Sequence, residues 1–239
     1  MPIAVVIPSR GRPQRAREAV LAARDSAIRA DTSVVLVVDE DDPLLPEYRV
    51  MVDRLPPPRV GAEHRPLLVV LSGDETGCLV TATNAVSMLI DYDDPATIIG
   101  KLGDDHLVRT FGWDRLITDA LSTPGMAYGD DLIHGEHLPS APFFSAVIPL
   151  ALGWYMWPGC RHLYVDNIWR DVAEQAGVRR YLPELTIEHM HPAVGKAVWD
   201  EGYHRANDQP PARRDHKAYE YWRARHMARD VRRVREALA

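Results

Sequence analysis

Ile98-Ile99-Gly100-Lys101-Leu102-Gly103-Asp104-Asp105-His106 is the stretch whose reading decides the fold. A short apolar run passes into a glycine, then into two adjacent carboxylates and an imidazole. This is the profile of a buried strand whose C-terminal end opens into a site. Two aspartates where a strand gives out are destabilising unless a cation or solvent compensates them. Oxygen ligands beside a phosphate-bearing substrate suit Mg2+ or Mn2+. A polar turn that merely contains two aspartates would look the same over so few residues, so the neighbouring segments must decide.

Working outward, Ile3-Ala4-Val5-Val6-Ile7 is a β-rich run ended by Pro8-Ser9-Arg10-Gly11-Arg12-Pro13, and residues 14–30 carry apolar residues at helical spacing. Val34-Val35-Leu36-Val37-Val38 runs straight into Asp39-Glu40-Asp41-Asp42-Pro43. A continuous apolar strand is what a parallel sheet covered on both faces requires. A helix is expected over 44–55, stopped by Pro56-Pro57-Pro58. Leu67 to Leu71 supplies a third strand, followed by Gly73, Gly77 and an apolar helix near 78–90. The opening stretch is the fourth strand, with a helix from Trp113 to Leu121 after it. Four strand–helix repeats predict an α/β sheet of doubly wound type. Ligands of such sheets sit beyond the carboxyl ends of the strands. The loops at Ser9-Arg10-Gly11-Arg12, Asp39–Asp42 and Asp104-Asp105-His106 can therefore converge on one cleft.

The second half changes character. Residues 124–165 are rich in Gly, Pro and aromatics and read as loops and short strands covering the open end of the sheet. Residues 166–177 form a good helix, with Asp166 or Asn167 placed to cap it and Gly177 to end it. Leu185-Thr186-Ile187 is a further strand leading to Glu188-His189-Met190-His191-Pro192, where a period of two points His189 and His191 the same way. After Pro210-Pro211 a basic helix is expected at about 215–237, with Tyr219, Tyr221 and Trp222 near its start.

At 239 residues the chain has room for one domain with an appendage. We expect a domain over 1–209, made of two halves (1–121 and 122–209), and an extension over 210–239. The extension holds nine Lys/Arg against four Asp/Glu, so a net −6 chain divides into an acidic body of −11 and a basic arm of +5. That asymmetry bears on partners and not on fold. Met1-Pro2-Ile3-Ala4 has no basic n-region, and the apolar stretch 143–158 is broken by Pro149, Gly153 and Pro158. Neither a signal peptide nor a membrane span is expected. Cys78 and Cys160 fit no zinc or redox spacing and read as reduced thiols of a cytoplasmic protein.

With its loops aligned this way, the chain resembles the GT-A glycosyltransferases, particularly those like family 2, over roughly residues 3–192. Val5-Val6-Ile7-Pro8-Ser9-Arg10 looks like the family's first strand and nucleotide loop. Asp39 matches the acidic residue that holds the uracil or ribose of the donor. Ala82-Thr83-Asn84 stands where the family has Ala-Arg-Asn, without the arginine. Gly103-Asp104-Asp105-His106 occupies the place of the metal-binding Asp-x-Asp with altered spacing, and Asp105 is the favoured direct ligand. Tyr164-Val165-Asp166-Asn167 matches the position of the catalytic base, where a helix N-terminus would keep Asp166 ionised. His189 and His191 are the candidates for the late histidine that completes the metal shell.

The resemblance implies a Mn2+- or Mg2+-dependent transfer from a nucleoside-diphosphate sugar, a UDP-sugar foremost, to an acceptor hydroxyl, with inversion. It places Pro8, Ser9, Arg10, Arg12, Asp39, Asn84, Lys101, Asp104 and Lys196 on the donor, and Trp154 and Trp157 on the acceptor. The small anchor-free form also looks like glycosyltransferases encoded by bacteriophages, some of which sugar-modify pyrimidines in DNA. The basic helix would then grip the nucleic acid in the host cytoplasm. A solvated amphipathic helix packing on the sheet or on a second subunit is the plainer alternative for the same residues. Two other functions compete. A nucleotidyltransferase would show a glycine-rich basic loop, whereas Ser9 to Pro13 has one glycine. A non-catalytic nucleotide- or glycan-binding module would keep the fold without turnover.

Overall fold

The continuous apolar runs form the parallel half of a mixed sheet. The computed structural model describes residues 1–57, 66–73, 76–87, 97–208 and 210–239. Pro58 and residues 88–90, which the sequence assigned to a helix stop and a helix end, lie outside the described residues.

Strand β1 (Ile3–Ser9) is buried almost throughout, and helix α1 (Pro13–Ser26) begins with Pro13 in its first turn. Ala16, Ala19, Val20 and Ala23 make the buried stripe by which α1 packs on the sheet. Then follow β2 (Thr32–Asp39), α2 (Leu45–Asp53), β3 (Leu67–Leu71), α3 (Leu79–Ser87) and β4 (Ile98–Lys101). β5 (His106–Val108) and α4 (Trp113–Ala120) come next. Ile3, Val5, Ile7, Leu36, Ile98, Trp113 and Phe143 lie within one core cluster.

The sheet order among the described residues is β3-β2-β1-β4, continued by strands of the second half. The segment 124–165 does more than cover the sheet. It inserts β6 (Met126–Asp130) and β7 (Phe143–Ser145) into it, with β7 antiparallel to β4 and to β6. The cause is burial on both faces, since Met126, Ala127, Tyr128, Phe143 and Phe144 are all inaccessible. Helix α5 (Val147–Leu152) and helix α6 (Val165–Ala176) lead to β8 (Arg179–His189), which runs parallel to β6 and antiparallel to β5. β8 is far longer than the three residues anticipated, and it ends at His189. His191 lies beyond it, so the two histidines do not share a strand face.

Gly129 sits where the β6–β8 register shifts, and a Cβ there would overlap the Leu185 carbonyl oxygen. Gly129→Ala is expected to destabilise the fold by about 1–3 kcal/mol through overpacking, read from urea unfolding.

The basic C-terminal segment is two helices, α8 (Pro211–Arg225) and α9 (Met227–Ala237), after a short α7 (Glu201–Asn207). The single helix expected there breaks at His226. Across the break the Trp222 indole N–H donates to Asp230 Oδ2 at 2.9 Å, with both side chains buried. Tyr219, Trp222 and Val234 join the core cluster of α5 and α6, while the arginines face outward. No helix among the described residues is long and apolar enough to cross a membrane.

Candidate active site

The three polar loops meet. A cavity of about 580 Å³ opens at the carboxyl ends of β1, β2 and β4, lined on that side by Pro8, Ser9, Arg10, Arg12, Asp39 and Lys101. Asp39 Oδ2 accepts hydrogen bonds from Arg10 Nη1 at 2.9 Å and from the Gly77 amide at 3.0 Å. Arg10 also grips Asp41, and the Gly11 amide donates to Asp42 at 2.7 Å. The acidic run after β2 thus ties down the loop after β1. The buried Tyr48 hydroxyl lies 2.8 Å from Ser9 Oγ and accepts from the Arg12 amide. Nothing local in the sequence announced that role.

The two aspartates divide their work. Asp104 accepts from Ser9 Oγ at 2.7 Å and from Arg12 Nη1 at 3.2 Å, so its oxygens are committed to the β1 loop. Burial, and then the neighbouring Asp105 charge, push its carboxyl above the ordinary range. Asp105 turns the other way, its Oδ1 3.1 Å from His106 Nδ1 and its Oδ2 3.4 Å from His189 Nε2. Burial opposes its charge, but the two histidines outweigh burial and hold the carboxyl well below its usual value.

His106 and His189 are direct partners in the antiparallel β5–β8 pair, which stacks their rings at 4.2 Å. Burial, helped by His189, pushes His106 down to about 4, leaving a neutral imidazole. One ligand atom from each of Asp105, His106 and His189 lies within 4.8 Å of the others, and His106 Nε2 and His189 Nδ1 are buried without hydrogen-bond partners. One carboxylate and two imidazole nitrogens form a donor set that fits a divalent ion. The sequence reading singled out His189 but gave His106 no role, although it directly follows the aspartates. His191 lines the cavity as well, with its Nδ1 accepting from the Ala193 amide and capping a 3₁₀ turn at Pro192–Val194. It is not one of the three residues whose ligand atoms lie within 4.8 Å of one another.

Asp166 lines the same cavity. The cap of α6 is neither Asp166 nor Asn167 but Tyr164, in the left-handed region at φ 66°, and Asp166 falls in the first turn. Its Oδ1 is buried without a hydrogen-bond partner. Burial raises its pKa against the opposing pull of Lys101, His189 and His134. Lys101 is 6% exposed, lines the cavity, and has no ion-pair partner among the described residues. Nearby, Asp131 accepts from Ser140 Oγ, from His134 Nδ1 and from the amides of Ile133 and His134, a closed turn that the sequence reading missed.

The loop before α6 is pinned by α8. Asp215, 1% exposed, accepts from the amides of Arg161, His162 and Leu163 at 3.2, 2.8 and 2.9 Å. Arg214 and Asp215 therefore line the same cavity as Asp39 and Asp166.

Four anticipated residues are not brought to the cavity. Asn84 spends its amide on the backbone of Tyr155 and Met156. Lys196 pairs with Glu188 at 2.9 Å, beside Arg109. Trp154 packs on Trp169 with ring centres 5.3 Å apart, and Trp157 on His226 at 5.9 Å. Their aromatic area is used in the core between α5, α6 and the C-terminal helices.

No protein-family profile and no curated protein matches this sequence. Solved structures do match its fold. The mannosyltransferase PcManGT from Pyrobaculum calidifontis, in complex with GDP-Man and Mn2+, aligns with TM-score 0.60 at 14% identity, over 98% of this chain and 73% of that one. S. aureus TarS 1-349 in complex with UDP-GlcNAc aligns with TM-score 0.56 at 10% identity, over 95% and 73%. Glucosyl-3-phosphoglycerate synthase from Mycobacterium tuberculosis, with Mn2+, UDP and phosphoglyceric acid, aligns with TM-score 0.53 at 9% identity, over 80% and 71%. The fold is that of the GT-A glycosyltransferases. In this GT-A sheet the cavity occupies the carboxyl-end crevice where doubly wound folds take their ligands. β8 and α6 close it from the far side.

Proposed function

We propose that this chain is a metal-dependent glycosyltransferase that moves a sugar from a nucleoside-diphosphate sugar to an acceptor hydroxyl with inversion. The observation that carries this is the convergence of Asp39, Arg12, Asp105, His189 and Asp166, from five separate segments, on one cavity. A divalent ion held by Asp105, His106 and His189 would supply the positive charge that a departing diphosphate needs. Solved neighbours of the same fold were captured with UDP, UDP-GlcNAc or GDP-Man, two of them with Mn2+, which favours such a donor here.

The chain's own groups have distinct parts. Asp39, held by Arg10 and Gly77, meets the nucleoside, and Arg12 and Lys101 meet the phosphates through charge-assisted hydrogen bonds. Asp166 takes the acceptor's proton as its oxygen bonds the anomeric carbon, while the bond from that carbon to the diphosphate oxygen breaks. One base facing one leaving group gives inversion. The test is release of UDP from UDP-sugars with Mn2+, abolished by EDTA. A binding module of the same fold would take up the nucleotide and release nothing. Lys101→Met is expected to weaken UDP binding in Mn2+ by about 10- to 100-fold, the value of a charge-assisted contact, measured by calorimetry.

For the acceptor we propose hydroxymethylated pyrimidines in DNA, a reading supported by the exposed arginines of α8 and α9, of which Arg214 lines the cavity. A salt-sensitive gel shift of duplex DNA should be lost in Arg213→Glu/Arg225→Glu, two exposed sites whose replacement leaves the buried Trp222–Asp230 bond untouched. A shift unchanged by that double substitution would return these helices to a packing role alone.

A further inference from the structure

Helix α7 lies well over a hundred residues from Arg12 and Arg15 and almost a hundred from Asp105, yet it reaches all three. The hydroxyl of Tyr203, a side chain 4% exposed, lies 3.0 Å from Asp105 Oδ2 and 3.1 Å from the Met190 carbonyl. It accepts a hydrogen bond from Arg15 Nη1 at 2.6 Å. The Arg12 guanidinium sits 4.0 Å above the same ring, and Arg12 Nη2 bonds Asp200 Oδ1 at 2.5 Å. Asp200 in turn caps α7 by accepting from the Tyr203 amide. A Cβ on Gly202 would come within 2.6 Å of Arg12 Nη2, so the helix approaches that arginine as closely as only glycine permits.

We propose that Tyr203 is a positioning residue for the metal site, holding the Asp105 carboxylate in the rotation that lets it share an ion with His106 and His189. The inference rests on the reading of Asp105 as a metal ligand. Asp105 has one oxygen toward His106 and the other between His189 and Tyr203. A carboxylate is free to spin about its last bond unless an outer partner stops it, and such partners govern metal affinity as strongly as position does. The Tyr203 hydroxyl is that partner. Arg15 donates to the phenol oxygen, which polarises the O–H and strengthens what it gives to Asp105. The same ring carries Arg12, so the carboxylate that meets the metal and the arginine that meets the phosphates share one support.

The test is Mn2+ binding, followed by the electron paramagnetic resonance of free Mn2+, with no turnover required. Tyr203→Phe keeps the ring under Arg12 and removes only the hydroxyl. Its Kd for Mn2+ is expected to rise about 10-fold or more, the usual effect of losing an outer-shell partner. Arg15→Met removes the polarising donor while leaving the tyrosine, and should raise Kd by a smaller factor of about 2–5. It also serves if the Phe variant fails to fold. A Kd within twofold of wild type in folded Tyr203→Phe, or an unchanged Kd in Arg15→Met should the Phe variant not fold, overturns the assignment. Absence of saturable Mn2+ binding in the wild-type chain would instead overturn the metal reading on which it rests.

Discussion

Asp166→Asn is expected to slow sugar transfer by about 10²- to 10⁴-fold, the range that a positioned general base contributes, while leaving Mn2+ and UDP affinity near wild type. Asparagine keeps the shape of the side chain and cannot accept the proton. The carboxylate stands in the first turn of α6 with Oδ1 buried and unpartnered, so it is bound to nothing that a substitution would disrupt. Burial raises its pKa, with Asp131 adding to the rise and Lys101, His189 and His134 opposing it. A base with a raised pKa is protonated sooner as pH falls, so transfer should decline on the acid side above the ordinary aspartate range. That acid limb should be absent from the residual rate of the variant. Normal transfer by Asp166→Asn with donor binding intact would remove Asp166 from the chemistry and inversion with it.

Asp105→Asn is expected to weaken Mn2+ binding by at least about 100-fold, as loss of an anionic ligand from a three-residue set should, and to abolish Mn2+-dependent UDP binding with it. The readouts are the resonance signal of free Mn2+ and calorimetry with UDP. Asp104→Asn should behave differently. Its oxygens face Ser9 and Arg12 and not the histidines, so Mn2+ affinity should change far less while nucleotide binding suffers. Equal losses in the two variants would show that both carboxylates reach the ion.

Much of this architecture was legible in the sequence because it is periodic or continuous. Runs such as Val34 to Val38 have few alternatives to a strand buried on both faces, and polar residues at their ends mark the cleft. β6 was harder to read. Met-Ala-Tyr-Gly-Asp has little intrinsic strand preference, and it becomes a strand because Gly129 lets Leu185 of β8 come close. The tryptophans misled for a related reason. Trp154 and Trp157 look like a binding platform in a loop-rich segment, but only tertiary packing reveals Trp169 and His226 waiting for them. Tyr48, Asp200 and Tyr203 left no trace in the sequence reading, since a bond such as that from Arg12 to Asp200 spans 188 residues. His106 was within reach. Its place opposite His189 follows from β5–β8 register, which sequence spacing alone does not supply.

The grip of Asp215 on the Arg161–Leu163 amides has a consequence for how the protein matures. During synthesis α6 can already seat Trp169 against Phe144, but the loop that leads into it lacks these three hydrogen bonds until α8 has left the ribosome. A nascent chain would thus lack both the α7 contacts that hold Arg12 and Asp105 and the α8 contacts that hold the loop before Asp166 until some two hundred residues had been made. Competence waits on α7 and α8.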